Sequence, residues 1–320
     1  MRLWRRGRSS ADAPGSEPDA EFAFLTLAQA ARLRSLAHQA FAEAGVEVVV
    51  RPGHLEAADG RVFGLGNLAA TCLQLLQDGR EKAWPEVVRR HAQVVLASPA
   101  MDAVLTELPR EEVLRRTYLR LVGTATLPAE AWAWYRYARP VAGDLVELLA
   151  FDEPETVRML RDEDVAALGL EDLRFAGLEN LLRDRYDSHE VIRGPSGQSF
   201  HLVLGDSVYT ASKLLVLPDL LARTVGEREP EFGVLVAVPH RHQIAFALVE
   251  PATLLSTVRT LAGFTAGRYE DGVGPLSPYL YWWKDGRVTQ VSFLDDAGTL
   301  SIDATGEFGD LLRRLGLTGE

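Results

Sequence analysis

Residues 233–249 read GVLVAVPHRHQIAFALV, two apolar runs of five and six residues, back to back, rich in Val, Ile, Leu and Phe. Runs of that length and composition are strands buried on both faces. They predict a β-hairpin at the centre of a sheet. Between them Pro239-His240-Arg241-His242-Gln243 forms the densest cluster of ionisable ring nitrogens in the chain. Chemistry is to be sought first at that tip, although its residues match no established catalytic pattern.

With 47% hydrophobic and 25% charged residues among 320, the chain can bury the core of one large or two ordinary domains. Forty-five acidic against 34 basic residues leave a net charge of −11, which disfavours nucleic acid as a partner. The sole cysteine, Cys72, lies in the apolar run 68–76, so no intrachain disulfide exists and Cys72 reads as a small core residue. No apolar run approaches the ~20 residues of a membrane span. The basic cluster Arg2, Arg5, Arg6 and Arg8 is not followed by the apolar region of a signal peptide. A cytoplasmic location is therefore expected.

Residues 1–21 lack periodicity and predict a disordered tail. Apolar positions spaced by three and four predict a helix over 22–44, ended by Gly45. A strand pair follows at 46–50 and 62–63 around Asp59-Gly60, then helices over 68–76, capped by Asn67, and 85–96. Gly64-Leu65-Gly66-Asn67-Leu68-Ala69 superficially fits a dinucleotide-binding turn. That turn needs a parallel βαβ unit and an acid about twenty residues on, whereas Asp78 comes early. A tight strand-to-helix turn is the simpler reading.

Further along, 111–121 reads as a helix, and AWAWYRY at 131–137 as a strand or a helix packed through its aromatics. Strands are predicted at 145–150 and 157–160. Helices are predicted from Asp162-Glu163-Asp164, whose carboxylates suit a helix start, and over 171–182. A hairpin frames Gly194-Pro195-Ser196-Gly197, whose spacing does not match a serine-hydrolase nucleophile elbow. Helices at 209–221 and 252–264 flank the central hairpin. The resulting fold class is α+β, antiparallel hairpins at 46–63, 144–160, 191–204, 233–249 and 279–293 alternating with helices. Its domains are an N-terminal region over 22–125 and a C-terminal region over 126–320, each sheet-bearing.

Asp285-Gly286 marks a type I′ turn and fixes the register of the last hairpin, with Lys284 opposite Arg287, Trp283 opposite Val288, Trp282 opposite Thr289 and Tyr281 opposite Gln290. One face then carries Leu280 and Trp282 toward the core. The other carries Tyr279, Tyr281 and Trp283 beside polar neighbours, a mixed face suited either to cover by a helix or to recognition.

The segments RPVAGDLVELLAFDEPETVRMLRDEDVAALGLEDLRFAGLENL, GDSVYTASKLLVL, VLVAVPHRH and SPYLYWWKDGRV, in this order, resemble the blocks of the uncharacterised bacterial YtpQ-like family over residues 30–293. Where that pattern has Arg-Asp, this chain has Arg241-His242. The resemblance implies a cytosolic bacterial protein and brings no catalytic residues.

Two functions are open to such a chain. As a non-enzymatic protein without a cofactor, it would bind a protein or peptide partner through Arg241, Tyr279, Tyr281 and Trp283, or form a homodimer there. As an enzyme, it would be a metal-assisted or acid-base hydrolase, with His240, His242 and Asp206 holding a divalent transition metal. Binding is the reading the residues favour.

Overall fold

A computed structural model describes residues 17–317 apart from 59–60, 78, 98–103, 128, 154–156, 272–273 and 295–299. The fold is α+β with antiparallel sheets, and the chain divides into two compact units, Met1–Met101 and Asp102–Glu320. Residues 102–125, expected with the N-terminal region, lie in the second unit, for a reason given by the strand at 117–123 below. Among the described residues no helix is long and apolar enough to cross a membrane.

In the first unit, helix α1 (Leu27–Glu43) starts at a capping box: Thr26 Oγ1 accepts from the Gln29 amide and Gln29 Oε1 accepts from the Thr26 amide. Residues 17–21 belong to the fold, which corrects the end of the predicted tail; residues 1–16 lie outside the described residues. Asp19 is the reason. It is buried, accepts the Phe22 amide, and takes both Nη groups of Arg34 at 2.9 and 2.8 Å. The Arg34 hydrogen bonds hold its carboxyl at about 2.

Strands β1 (Val48–Val50), β2 (His54–Ala57) and β3 (Val62–Gly64) form an antiparallel meander. The expected Asp59-Gly60 turn lies outside the described residues, as does Asp78. Antiparallel pairing of β3 removes the parallel unit that a dinucleotide turn requires. Helix α2 (Gly66–Gln77) begins before Asn67, so Asn67 is inside the helix and not its cap. Helix α3 (Trp84–Ala97) closes the core, where Trp84 Nε1 donates to the Cys72 carbonyl at 3.0 Å. Cys72 is fully buried, and burial pushes its thiol up to about 12.

The second unit opens with α4 (Val104–Glu107) and α5 (Arg110–Arg115). The helix expected over 111–121 stops at Arg115, because TYLRLVG carries period-2 alternation and becomes β4 (Thr117–Gly123). A 3-10 turn occupies Ala129–Trp134 in the aromatic stretch. β5 (Arg139–Ala142), β6 (Leu145–Asp152) and β7 (Val157–Met159) complete a four-stranded antiparallel sheet. β4 pairs with β6 along its whole length, and this ties residues before 125 to the second unit. Helices α6 (Asp162–Leu168) and α7 (Leu170–Arg183) follow, and from α7 the Asn180 side chain donates to the Leu114 and Thr117 carbonyls, capping the helix-to-strand junction.

The next six strands build a six-stranded antiparallel sheet. β8 (Ser188–Arg193) and β9 (Ser199–Leu204) precede a 3-10 turn (Ala211–Val216) and α8 (Leu217–Thr224). β10 (Val234–Ala237) and β11 (Gln243–Leu248) are the hairpin of 233–249, α9 (Leu254–Asp271) crosses it, and β12 (Leu280–Lys284) and β13 (Arg287–Gln290) form the last hairpin. The order β13-β12-β10-β11-β9-β8 puts the β10–β11 hairpin at the centre. β14 (Ser292–Leu294), β15 (Leu300–Ile302) and α10 (Gly306–Arg314) end the described chain.

Both faces of this sheet are cores. Leu235, Ala245, Leu280 and Trp282 pack with α9 and α10, while Val236, Phe246, Tyr281 and Trp283 pack with residues of 211–224. The last hairpin has the expected register, from Lys284↔Arg287 to Tyr281↔Gln290.

Candidate functional site

The tip of β10–β11 is held by backbone from several segments. Leu276 N donates to Pro239 O, Arg241 N to Gly274 O, Ala211 N to Arg241 O, and Gly205 N to His242 O, at 2.9–3.1 Å. His240, Arg241 and His242 are accordingly half-buried.

The partners assign each imidazole. Arg241 Nε–H donates to His242 Nε2 at 2.9 Å, so that nitrogen carries the lone pair; Nδ1–H then donates to Gly205 O at 3.2 Å. Burial, then the charge of Arg241, keeps His242 below the ordinary histidine range. His240 bonds Gln243 Oε1 through Nε2 at 3.0 Å, and its Nδ1 is buried with no hydrogen-bond partner, as is Nε2 of Gln243. Burial brings His240 down to about 4, with a smaller contribution from His242. Both rings are therefore neutral at pH 7.

This geometry does not make the expected metal site. Both ring nitrogens of His242 are committed to hydrogen bonds, the spare nitrogen of His240 is sealed from solvent, and Asp206 is exposed. Among the described residues no group of three or more His, Cys, Asp or Glu side chains is placed to hold a metal ion.

The aromatic face expected as a recognition surface is interior. Tyr281 is 0% and Trp283 3% exposed, covered by Leu214, Leu217, Leu220 and Leu221 of the same unit, and Tyr279 is half-buried against them. The premise of exposure fails because β12 lies inside the sheet, between β13 and β10, where both of its faces are covered. The polar alternation belongs to β13, the edge strand. Tyr281 instead anchors a turn: its hydroxyl donates to Asp144 Oδ1 and shares a 2.6 Å hydrogen bond with Ser277 Oγ.

Sequence reasoning missed Arg120. It stands in β4 between the buried Leu119 and Leu121. Its guanidinium lies 5.9 Å from the ring centroid of Tyr209, which in turn stacks on Tyr118 at 4.3 Å and donates its hydroxyl to Asp152 Oδ1 at 3.3 Å. The Arg120 side chain is half-buried, and burial pushes its pKa down. It makes no hydrogen bond and no ion pair with any described residue. The signal available was a lone arginine inside an apolar strand, where a charge is expensive unless something pairs with it.

Residues 211 and 212 connect Arg120 to the tip. Leu121 N donates to Ser212 Oγ at 2.9 Å while Ala211 N donates to Arg241 O at 3.0 Å, so β4 and the tip flank the same two residues. The charge of Arg120 reaches both Arg241 and His242 and helps lower them, Arg241 to about 10 with burial as the larger cause. Arg120, His240, Arg241 and His242 are thus a half-buried, positively charged cluster in an acidic protein. No family model, curated protein or solved structure matches this chain.

Proposed function

We propose that this chain is a non-enzymatic binding protein that receives its ligand at the β10–β11 tip. The observation that supports this is the state of the tip's side chains. His242 uses both ring nitrogens within the fold and His240 has only a sealed one left, so neither offers an accessible base or metal ligand. Arg120, by contrast, is half-buried beside Tyr209 with hydrogen-bonding capacity unused by the described residues. An arrangement of fixed donors without a base or nucleophile recognises and holds; it does not turn over. Arg241 keeps the binding role expected of it, whereas Tyr279, Tyr281 and Trp283 serve as packing beneath the site.

The test is ligand-induced stabilisation of the full chain across a panel of anionic, neutral and cationic small molecules, compared with Arg241→Ala. A ligand bound to the native state raises the unfolding midpoint in proportion to its concentration over its Kd. The proposal expects at least one class to stabilise the wild type and to lose that effect in Arg241→Ala. A panel that leaves the midpoint unmoved overturns it.

A further inference from the structure

We infer that this chain associates with a second copy of itself by pairing the edge strand β1 antiparallel to its counterpart, in a two-fold register centred on Val49. The inference concerns the first unit and is independent of what binds at the β10–β11 tip. β1 pairs with β2 on one side, and no described strand or bridge pairs with its other side. Natural edge strands are blunted by Lys, Pro or a bulge. Val48-Val49-Val50 has none of these and leaves Val49 54% and Val50 38% exposed.

The ladder with β2 decides which backbone groups are open. Arg51 N donates to His54 O at 2.9 Å, so Arg51 and, two residues back, Val49 turn their N–H and C=O groups toward β2. Those of Val48 and Val50 point away from the sheet and have no partner among the described residues. Antiparallel pairing joins open residues to open residues, so the dyad must pass through a residue and not between two. Centred on Val49, it sets Val48 opposite Val50 with four backbone hydrogen bonds, Val49 opposite Val49, and Glu47 opposite Arg51 at both ends.

Charge selects this register from its neighbours. A dyad at Val48 or Val50 sets Glu47 or Arg51 opposite Val49, and one residue further it sets Glu47 against Glu47 or Arg51 against Arg51. Glu47 is exposed with no ion-pair partner among the described residues, and Arg51 bonds Glu56 through Nε alone, at 3.0 Å. Both Nη groups of Arg51 are thus left for a carboxylate across the dyad. The ladder ends after these pairs, because Val46 N already donates to Phe41 O and Pro52 has no N–H. Val48 packs with the core of the first unit, so setting it against Val50 of the second copy continues that core across the junction.

A junction running only from Glu47 to Arg51 is small, so the dimer forms reversibly at high protein concentration. The test is sedimentation velocity of the full chain from about 5 to about 300 μM. The wild-type sedimentation coefficient is expected to rise with concentration toward that of a dimer. Val49→Lys, an exposed substitution that sets two ammonium groups face to face, should raise the dissociation constant about tenfold or more, and Glu47→Lys by a smaller factor. Coupling by oxidised glutathione reads the register. In Val49→Cys the thiols face each other with Cα atoms about 4.5 Å apart and should give a covalent dimer. In Val50→Cys they are diagonal neighbours about 7–8 Å apart, and the yield should fall about fivefold or more. Cys72 is fully buried and does not compete. A chain that stays monomeric over the whole range overturns the inference. So does a dimer as tight in Val49→Lys as in the wild type, which would place the interface elsewhere, or coupling of Val50→Cys as ready as that of Val49→Cys.

Discussion

His189 Nε2 and His201 Nδ1 lie 2.9 Å apart across β8 and β9, with the two rings within 12° of parallel. Their centroid separation of 5.1 Å is what an end-to-end N–H···N contact gives, so the rings meet edge to edge and share one proton. His201 is also stacked on Phe246 of β11 at 4.8 Å. Burial, then the charges of His189 and Arg193, holds His201 below the ordinary histidine value. The folded state thus resists protonation of His201 more than the unfolded chain, so the stability His201 contributes is complete above about pH 6.5 and is lost as pH falls below it. Amide exchange along β8 is expected to accelerate below about pH 6, after correction for intrinsic rates, more than exchange along β10. Equal protection of the two strands at both pH values would contradict this.

His240 gives a second, larger pH effect with the same sign. Its folded-state value of about 4 lies below the ordinary 6.5, so the unfolded chain binds the proton first and stability falls between about pH 6.5 and pH 4. The shift sets an upper limit of about 3 kcal/mol, and relaxation around the ring brings the expected loss nearer 2 kcal/mol. Urea titrations of wild type and His240→Gln across this window should converge at low pH, because the variant has no proton to take up. Parallel curves would show that His240 is not the group responsible.

A glycine at the base of β10 is required by geometry. Gly233 has φ +79°, and an added Cβ would stand 2.5 Å from the Trp283 carbonyl oxygen and 2.6 Å from Trp282 Nε1. Gly226 has nearly the same φ, +78°, with open space around the Cβ position. Gly226→Ala should cost only the left-handed backbone strain, about 1 kcal/mol, and Gly233→Ala about 3 kcal/mol or more, since a packed strand must also move. Comparable unfolding midpoints for the two variants would remove the claimed role of close approach.

The legibility of this chain follows the length of its local signals. The 233–249 hairpin and the register set by Asp285-Gly286 were readable because continuous apolar runs and a two-residue turn each fix structure by themselves. The strand at 117–123 was not, since Glu111 to Leu121 carries residues common in helices and only the pairing of β4 with β6 decides the matter. The site divides the same way. Arg241 was visible as part of the tip, but Arg120 is 121 positions from Arg241 in sequence, and nothing local announces that residues 211 and 212 join the two. The burial of Tyr281 and Trp283 depended likewise on strand order, which β12 alone does not encode.

That burial sets the outcome of substituting Trp283. A tryptophan on an open recognition face could be exchanged for serine with little effect on folding but a loss of partner binding or dimerisation. Here Trp283 is 3% exposed, pairs with Val234 of β10 on one side and Val288 of β13 on the other, and packs against Leu217 and Leu221 beneath the sheet. Trp283→Ser removes the largest side chain from that layer and leaves a hydroxyl to be satisfied in its place. A destabilisation of about 3–5 kcal/mol is expected, with the molar mass of the folded fraction by light scattering unchanged from wild type. Tyr281→Phe, which keeps the volume and removes only the hydroxyl bound to Asp144 and Ser277, should cost about 1–2 kcal/mol. A Trp283→Ser protein as stable as wild type but altered in oligomeric state would return the aromatic face to the surface, and it would then have to be considered an interface after all.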